Sequence, residues 1–145
     1  MNQTVLDPNF PVVEGAYFLS KYWSITLPVP FNRKVKNDSL VLWNSSLTFW
    51  MTQFENQRFQ SSRNRVLSLI MDDRSDQVKN YKEFEINNAF IAQYFQEEEK
   101  DDQIVFSYHY VIASEDSMLS VKAYAGSRIT CKISKQICQT IKQNL

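Results

Sequence analysis

Glycine is scarce in this chain of 145 residues, which contains only Gly15 and Gly126. Glycine-rich phosphate loops and dinucleotide-binding fingerprints need several glycines, because their backbone amides must approach a phosphate without an intervening Cβ atom. The composition therefore excludes both kinds of nucleotide site.

Histidine and cysteine are equally scarce. His109 is the only histidine, so a two-histidine metal site cannot form, and no G-x-S-x-G motif accompanies it. Cys131 and Cys138 lie in a segment with helical periodicity, about 10 Å apart along the helix axis, which is beyond disulfide reach. We predict reduced thiols, as in a cytoplasmic protein, with Cys138 in the core and Cys131 more exposed. We expect no catalytic residue, no metal and no cofactor, and a structural role for His109.

The charges cancel, with 16 basic and 16 acidic residues. A protein that binds duplex DNA is usually basic, because its affinity depends on neutralising phosphates. No apolar run approaches the ~20 residues of a membrane span, and the polar start MNQTVLDPNF lacks the features of a secretory signal. We therefore expect neither nucleic acid nor a membrane span among the partners of the chain.

Large apolar side chains are plentiful, at 43% hydrophobic and 14% aromatic residues. They are concentrated in the stretch SLVLWNSSLTFWMTQF at positions 39–54, which predicts a β-hairpin at the centre of a sheet. A two-residue turn at Ser45-Ser46 would pair Leu42 with Phe49 and place Trp43 and Trp50 on the same face. A three-residue turn would separate the two tryptophans. Neither face is polar, so the hairpin is expected to be covered on both sides.

Periodicity predicts two helices and several further strands. The first helix spans 61–74, with a buried stripe of Val66, Leu67, Ile70 and Met71, and with Ser61 or Ser62 as its cap. The second helix begins after Ser127 and runs to Leu145, with a stripe of Ile129, Ile133, Ile137 and Ile141.

The strands show alternation of apolar and polar residues and end at turn residues. Pro28 and Pro30 are expected to end the strand that begins at Tyr22, because proline cannot continue a ladder, and 32–38 is expected to be a polar connection. The charged run EEEKDD at 97–102 is expected to form a solvated hairpin tip. The remaining predicted strands are 16–19, 82–86 (with Phe84 and Ile86 inward), 89–96, 104–113 and 118–125.

Together these elements predict an α+β domain. A twisted antiparallel sheet of about six or seven strands, ordered as a meander, would carry the mid-chain helix and the C-terminal helix. Residues 1–15 would form an extended N-terminal arm, and 16–145 a single domain.

Three motifs carry a resemblance to known proteins. Trp23–Pro28 reads W-S-I-T-L-P, Phe31–Arg33 follows as F-N-R, and Asp38–Trp43 reads D-S-L-V-L-W. With the order of elements, they resemble a family of small uncharacterised bacterial proteins with a PsbP/DcrB-like fold. The resemblance implies a non-enzymatic binding module, distantly similar to chaperones that hold effectors of the type VI secretion system.

The functional prediction is a cytoplasmic module that binds another protein through the aromatic face of the hairpin. The partner would be an apolar segment of a secreted effector or a toxin, and the module an accessory, chaperone or immunity protein. The alternative is a small-molecule or lipid-binding domain with an aromatic pocket. The basic side chains near the hairpin either form one patch, which would suit an acidic protein partner, or are scattered over the surface. These side chains are Arg33, Lys34, Lys36, Arg58, Arg63 and Arg65. The predicted contact residues are Trp43, Trp50, Val41, Trp23, Arg33 and Arg58.

Overall fold

A computed structural model describes residues 5–55, 61–73 and 78–144. Its helices are α1 (Ser62–Asp73) and α2 (Arg128–Cys138). Its strands are β1 (Val12–Phe18), β2 (Trp23–Lys36), β3 (Ser39–Trp43), β4 (Leu47–Glu55), β5 (Val78–Ile86), β6 (Ala89–Lys100), β7 (Gln103–Ala113), β8 (Ser117–Ala125) and β9 (Lys142–Gln143).

All strands of the described chain belong to one antiparallel sheet, ordered β1-β2-β3-β4-β8-β7-β6-β5, with β9 paired to β2. Two four-stranded meanders therefore meet along β4 and β8. The expected antiparallel sheet with two helices is confirmed, but the number of strands is higher than the predicted six or seven. The tail adds the unpredicted strand β9, and β1 is longer than predicted because it begins at Val12 rather than Ala16.

The prediction that prolines end the second strand is wrong, because β2 continues through Pro28 and Pro30 to Lys36. The half of β2 before Pro28 pairs with β1 and β9, and the half from Asn32 onward pairs with β3. Strand β1 pairs with β2 before Pro28 and again at Phe31 and Asn32, and its register shifts at a bulge between these two stretches. Pro28 and Pro30 lie opposite this bulge, so their missing N–H groups interrupt no regular ladder. Most of the predicted polar connection 32–38 is strand.

Three hairpin turns of this glycine-poor chain use asparagine and aspartate with positive φ at both central positions. These pairs are Asn37-Asp38, Asn87-Asn88 and Asp101-Asp102. Positive φ at both positions is typical of the tight turn that matches strand twist, and Asn and Asp tolerate it best after glycine. Asn87-Asn88 form the turn between β5 and β6. The charged tip is shorter than predicted, because Glu97 to Lys100 extend β6 and only Asp101-Asp102 form the turn.

The central hairpin has the register that the two-residue turn predicts, with Leu42 opposite Phe49 and Val41 opposite Trp50. No glycine is needed, because the side-chain oxygen of Asn44 accepts hydrogen bonds from the backbone N–H groups of Ser46 and Leu47 at 2.9 and 3.0 Å. The three-residue alternative is wrong, and the two tryptophans share a face.

The two helices pack on opposite faces of the sheet. Helix α2 buries Cys131, Ile137 and Cys138 in the larger core, whereas α1 places Val66 and Ile70 in a smaller core over β6, β7 and β8. Each face of the sheet thus receives one helix. We refer to them below as the α1 face and the α2 face.

The exposed positions of the helices differ from the predicted stripes. In α2 the buried side chains are Cys131, Ser134, Ile137 and Cys138, while Ile129 and Ile133 are exposed. The helix ends at Cys138 instead of Leu145, because Ile141 turns back into the core and β9 pairs with β2. Met71 of α1 and Ile86 of the edge strand β5 were also predicted to be buried, and both are exposed. The caps Ser61 and Ser127 are as predicted.

The first half of β2 folds over the α2 face. Trp23 is fully buried there, and its indole N–H donates a hydrogen bond of 2.9 Å to Ser117 Oγ in β8. Strands β3 and β4 lie between β2 and β8 in the sheet order, so this contact requires the sheet to coil across its α2 face. The larger core lies inside the coil.

Candidate functional site

The α1 face of the central strands carries the two partly exposed tryptophans. Strand pairing places Lys34, Val41, Trp50, Lys122, His109 and Tyr94 in one transverse row from β2 to β6. Val41 is buried at 2% exposure, and Trp50 beside it remains partly exposed. Helix α1 packs over β6, β7 and β8. In the described parts of the chain, no helix packs on the β3 and β4 section of this row.

An arm formed by the first described residues covers Trp43. The Phe10 ring meets the Trp43 ring edge-on at 4.9 Å between centroids, and the Lys34 ammonium lies 5.1 Å from the Trp43 centroid. Fully buried Asn32 fixes the arm, because its amide donates to the Asp7 carbonyl at 2.9 Å and accepts from the Asp7 N–H at 2.7 Å. Trp43 therefore contacts the protein's own arm.

Trp50 lies instead in a surface depression of about 280 Å³. The other lining side chains are Ser39, Thr52, Ser120, Lys122 and Tyr124. We call these six residues the Trp50 surface. Ser39 and Thr52 share a hydrogen bond of 2.8 Å between their hydroxyls. The surface thus has an aromatic centre and a polar rim, which is the usual arrangement of a protein–protein contact.

The charge around the Trp50 surface is positive. On the α1 face, the charged side chains described for β2, β3, β4 and β8 are Lys34, Lys36 and Lys122. Lys122 is directly opposite Trp50 in the register. Opposite charges across an interface raise the association rate and disfavour wrong partners, so this surface suits an acidic ligand.

The six predicted contact residues do not form one surface. Val41, Trp43 and Trp50 share the α1 face, as the hairpin register predicts. Trp23 is fully buried under the other face, so it cannot contact a partner. Arg33 pairs with Leu42 on the α2 face and lines a different cavity. Arg58 lies outside the described residues.

The basic side chains near the hairpin are also dispersed. Arg65 is buried at 5% exposure and donates to the Ser114 carbonyl, while Arg63 approaches Glu83 at 3.8 Å. Since Arg33 and Lys34 alternate on β2, they point to opposite faces. A single patch of these arginines and lysines does not form within the described residues.

His109 and the two thiols are buried within the fold. His109 stacks on Tyr94 at 4.5 Å, and its Nε2 lies 3.0 Å from Ser107 Oγ. Burial raises the pKa of the Cys131 thiol to about 11, against a smaller lowering by its hydrogen bond with Ser134. Burial also raises the pKa of Cys138 far above its usual value. Both cysteines are free and buried, so the expected greater exposure of Cys131 is wrong.

Sequence reasoning missed two parts of this region. It predicted an extended N-terminal arm over residues 1–15 without indicating that the buried Asn32 holds the backbone of Asp7 in place. It also missed the contribution of Ser120, Lys122 and Tyr124, because nothing in the local sequence indicates that β8 pairs with β4. The alternation within β8 does predict that these three side chains share a face.

Neither a metal-ligand cluster nor a membrane-spanning helix occurs among the described residues. No group of three or more His, Cys, Asp or Glu side chains is arranged to hold a metal ion in residues 5–55, 61–73 and 78–144. None of the helices within those same ranges is long and apolar enough to span a membrane.

Comparisons with known proteins identify a similar fold only. No protein-family model and no curated protein matches the sequence. The chain is similar to a crystal structure of a Bacteroides thetaiotaomicron protein, with a TM-score of 0.69 and 12% sequence identity. The match covers 92% of this chain and 50% of the other, so this chain spans half the length of that protein. At this identity the likeness shows a shared fold.

Proposed function

We propose that the chain is a non-enzymatic binding module that holds an apolar, acidic helical segment of another protein against the Trp50 surface. The observation that carries the proposal is the position of Trp50. It lies near the middle of a nine-stranded sheet, partly exposed, beside the region that α1 covers.

The dimensions of the sheet favour a helix as the bound segment. Neighbouring strands lie about 4.8 Å apart, and a helix with its side chains is about 10 Å wide. The section of the α1 face formed by β3 and β4 is therefore wide enough for one helix next to α1. Such a helix would place apolar residues on Trp50 and Val41, and its acidic residues would approach Lys34, Lys36 and Lys122.

The resemblance to secretion chaperones extends the proposal. The bound segment would belong to a secreted effector or a toxin, and the module would act as its chaperone or immunity partner in the cytoplasm. The two buried free thiols support that location, because unpaired cysteines are typical of reducing compartments. A second candidate function, small-molecule binding, is favoured by a separate cavity on the α2 face, which is described below.

A designed peptide tests the proposal without knowledge of the natural partner. The probe is an amphipathic helix with a leucine face and glutamates on its flanks. Its controls are a scrambled peptide and a version with lysine in place of glutamate. We expect NMR shifts of the backbone amides of β3, β4 and β8 with the glutamate peptide only. Shifts confined to other strands, or equal binding of the lysine peptide, would contradict the proposal.

Matched substitutions give the second measurement. Trp50→Ala should weaken binding of the glutamate peptide at least about tenfold, because an aromatic side chain at the centre of a contact contributes most of its affinity. Ile129→Ala removes a similarly apolar side chain, 76% exposed, from the outer side of α2, and should leave the affinity unchanged. Equal losses in both variants would show that binding follows general hydrophobicity.

A further inference from the structure

A cavity of about 250 Å³ opens on the α2 face, on the other side of the sheet from the Trp50 surface. It lies between the end of β1 and the strands β2, β3, β4 and β8, where the coiled sheet leaves a space. Its apolar wall includes Leu19, Leu40, Met51 and Leu119, and its polar wall includes Arg33 and Gln53. Helix α2 contributes no lining residue to this cavity within the described chain.

Arg33 is the one cation among the described residues that line this cavity, which also include the carboxylate of Asp38. Its Nε atom is buried and has no hydrogen-bond partner, and among the described residues its guanidinium makes no ion pair. Of the neighbouring positions on the same face of the sheet, Phe31 and Leu42 are fully buried, whereas Val35 is 66% exposed. Arg33 as a whole is partly buried, so its Nε N–H is the group that a bound anion would satisfy.

Gln53 adds a second polar group with unmet hydrogen bonding. Its side-chain oxygen is also buried and has no partner. The oxygen and nitrogen of an amide exchange places by rotation of the side chain, so Gln53 can present an N–H donor to an anion. A largely apolar cavity with a few converging polar groups is typical of a small-molecule site.

We propose that this cavity binds a small monocarboxylate with an apolar body. The planar guanidinium of Arg33 would hold the carboxylate through two parallel hydrogen bonds, and the four apolar side chains would enclose the body. Asp38 lines the same cavity and disfavours a doubly charged anion such as a phosphate. The site is open to solvent and has a volume of about 250 Å³, so a ligand on the order of ten non-hydrogen atoms would fit with part of its surface still in water.

Octanoate is the probe, and calorimetry or methyl NMR on the full chain is the measurement. Octanamide keeps the body without the charge, and acetate keeps the charge without the body. We expect saturable binding of octanoate, with methyl shifts at Leu40, Met51 and Leu119, and much weaker binding of both controls. Absence of octanoate binding up to about 10 mM, far weaker than ordinary ligand affinities, would overturn the proposal.

Substitutions then assign the binding to Arg33. Arg33→Met should weaken octanoate at least about tenfold, since hydrogen bonds to charged groups are strong, with little change for octanamide. Arg33→Lys keeps the charge, and its affinity for octanoate should lie between those of the unsubstituted protein and Arg33→Met. It replaces Arg33→Met if that variant does not fold. Lys82→Gln removes an exposed charge from the edge strand β5, which contributes no lining residue to the cavity, and should leave octanoate binding unchanged. Equal effects of Arg33→Met and Lys82→Gln would refute the assignment.

A second substitution in the cavity should change the affinity for octanoate in the opposite direction. Asp38→Asn should tighten octanoate binding a few-fold, because it removes the like charge from the cavity wall. Trp50→Ala should not alter it, because Trp50 belongs to the other face. The carboxylate site and the Trp50 surface can therefore fail independently of each other.

Discussion

The hydrogen bond between Trp23 and Ser117 is the contact that reports most directly on the coil of the sheet. It joins residues separated by 94 positions, and both side chains are fully buried. Ser117→Ala leaves the indole N–H without a partner, and Trp23→Phe leaves the serine hydroxyl without one. Both substitutions are therefore expected to destabilise the protein.

The magnitudes follow from the two kinds of loss. An unsatisfied buried donor costs about 1–3 kcal/mol of unfolding free energy, which is the expectation for Ser117→Ala. Trp23→Phe also removes part of a packed ring, so about 2–4 kcal/mol is expected. The double variant loses donor and acceptor together. Its destabilisation should therefore be smaller than the sum of the single effects by about 1–2 kcal/mol.

Equilibrium unfolding in urea, followed by far-UV circular dichroism, measures all four proteins. The control pair is Trp43→Phe with Ser117→Ala, because Trp43 lies on the opposite face of the sheet, and these effects should add within about 0.5 kcal/mol. Additive effects for Trp23 and Ser117 would refute the reasoning. The first half of β2 would then not lie against β8.

Two further predictions concern the turns and the thiols. Asn88→Gly should raise the unfolding free energy by about 0.5 kcal/mol and Asn88→Ala lower it by about 1 kcal/mol in urea titrations, because φ of Asn88 is +65°; equal effects would contradict the left-handed turn. Burial raises the pKa of the Cys131 thiol to about 11, above its value of about 8.5 in the unfolded chain. The protonated thiol therefore contributes stability that is fully present below about pH 8.5 and is lost as the pH rises toward 11. A urea series from pH 7 to 10.5 should show a decline that is smaller in Cys131→Ala, and an unchanged decline in that variant would assign the effect to other groups.

Local patterns predicted the central hairpin well. The alternation of residues 39–54 and the position of Ser45-Ser46 led to the observed pairing of Leu42 with Phe49. Strand alternation and turn preference act over a few residues, because both follow from backbone geometry. The same local information led to the strand β7 and to the cap Ser127.

Helix periodicity was less informative about burial. Isoleucines at 129, 133, 137 and 141 have a helical spacing, yet Ile129 is 76% exposed and Ile133 is 42% exposed. A stripe of apolar residues identifies a helix, but the side that faces the core depends on how the helix crosses the sheet. Here Cys131 and Ser134 occupy the buried side, and the polar identity of Ser134 concealed this.

The candidate sites also depend partly on the local sequence pattern and partly on the tertiary structure. The sequence by itself determined the strand alternation that places Val41 and Trp43 on one face of β3, and Thr48 and Trp50 on one face of β4. The structure selected the two-residue turn, which puts these four residues on the same face of the sheet. Only the tertiary structure decided that β4 pairs with β8, that the helices take opposite faces, and that Arg33 borders an apolar cavity. The physical reason is the distance along the sequence over which each kind of interaction acts. Backbone geometry sets periodicity residue by residue, whereas strand pairing and helix placement depend on the burial of apolar surface summed over the whole chain.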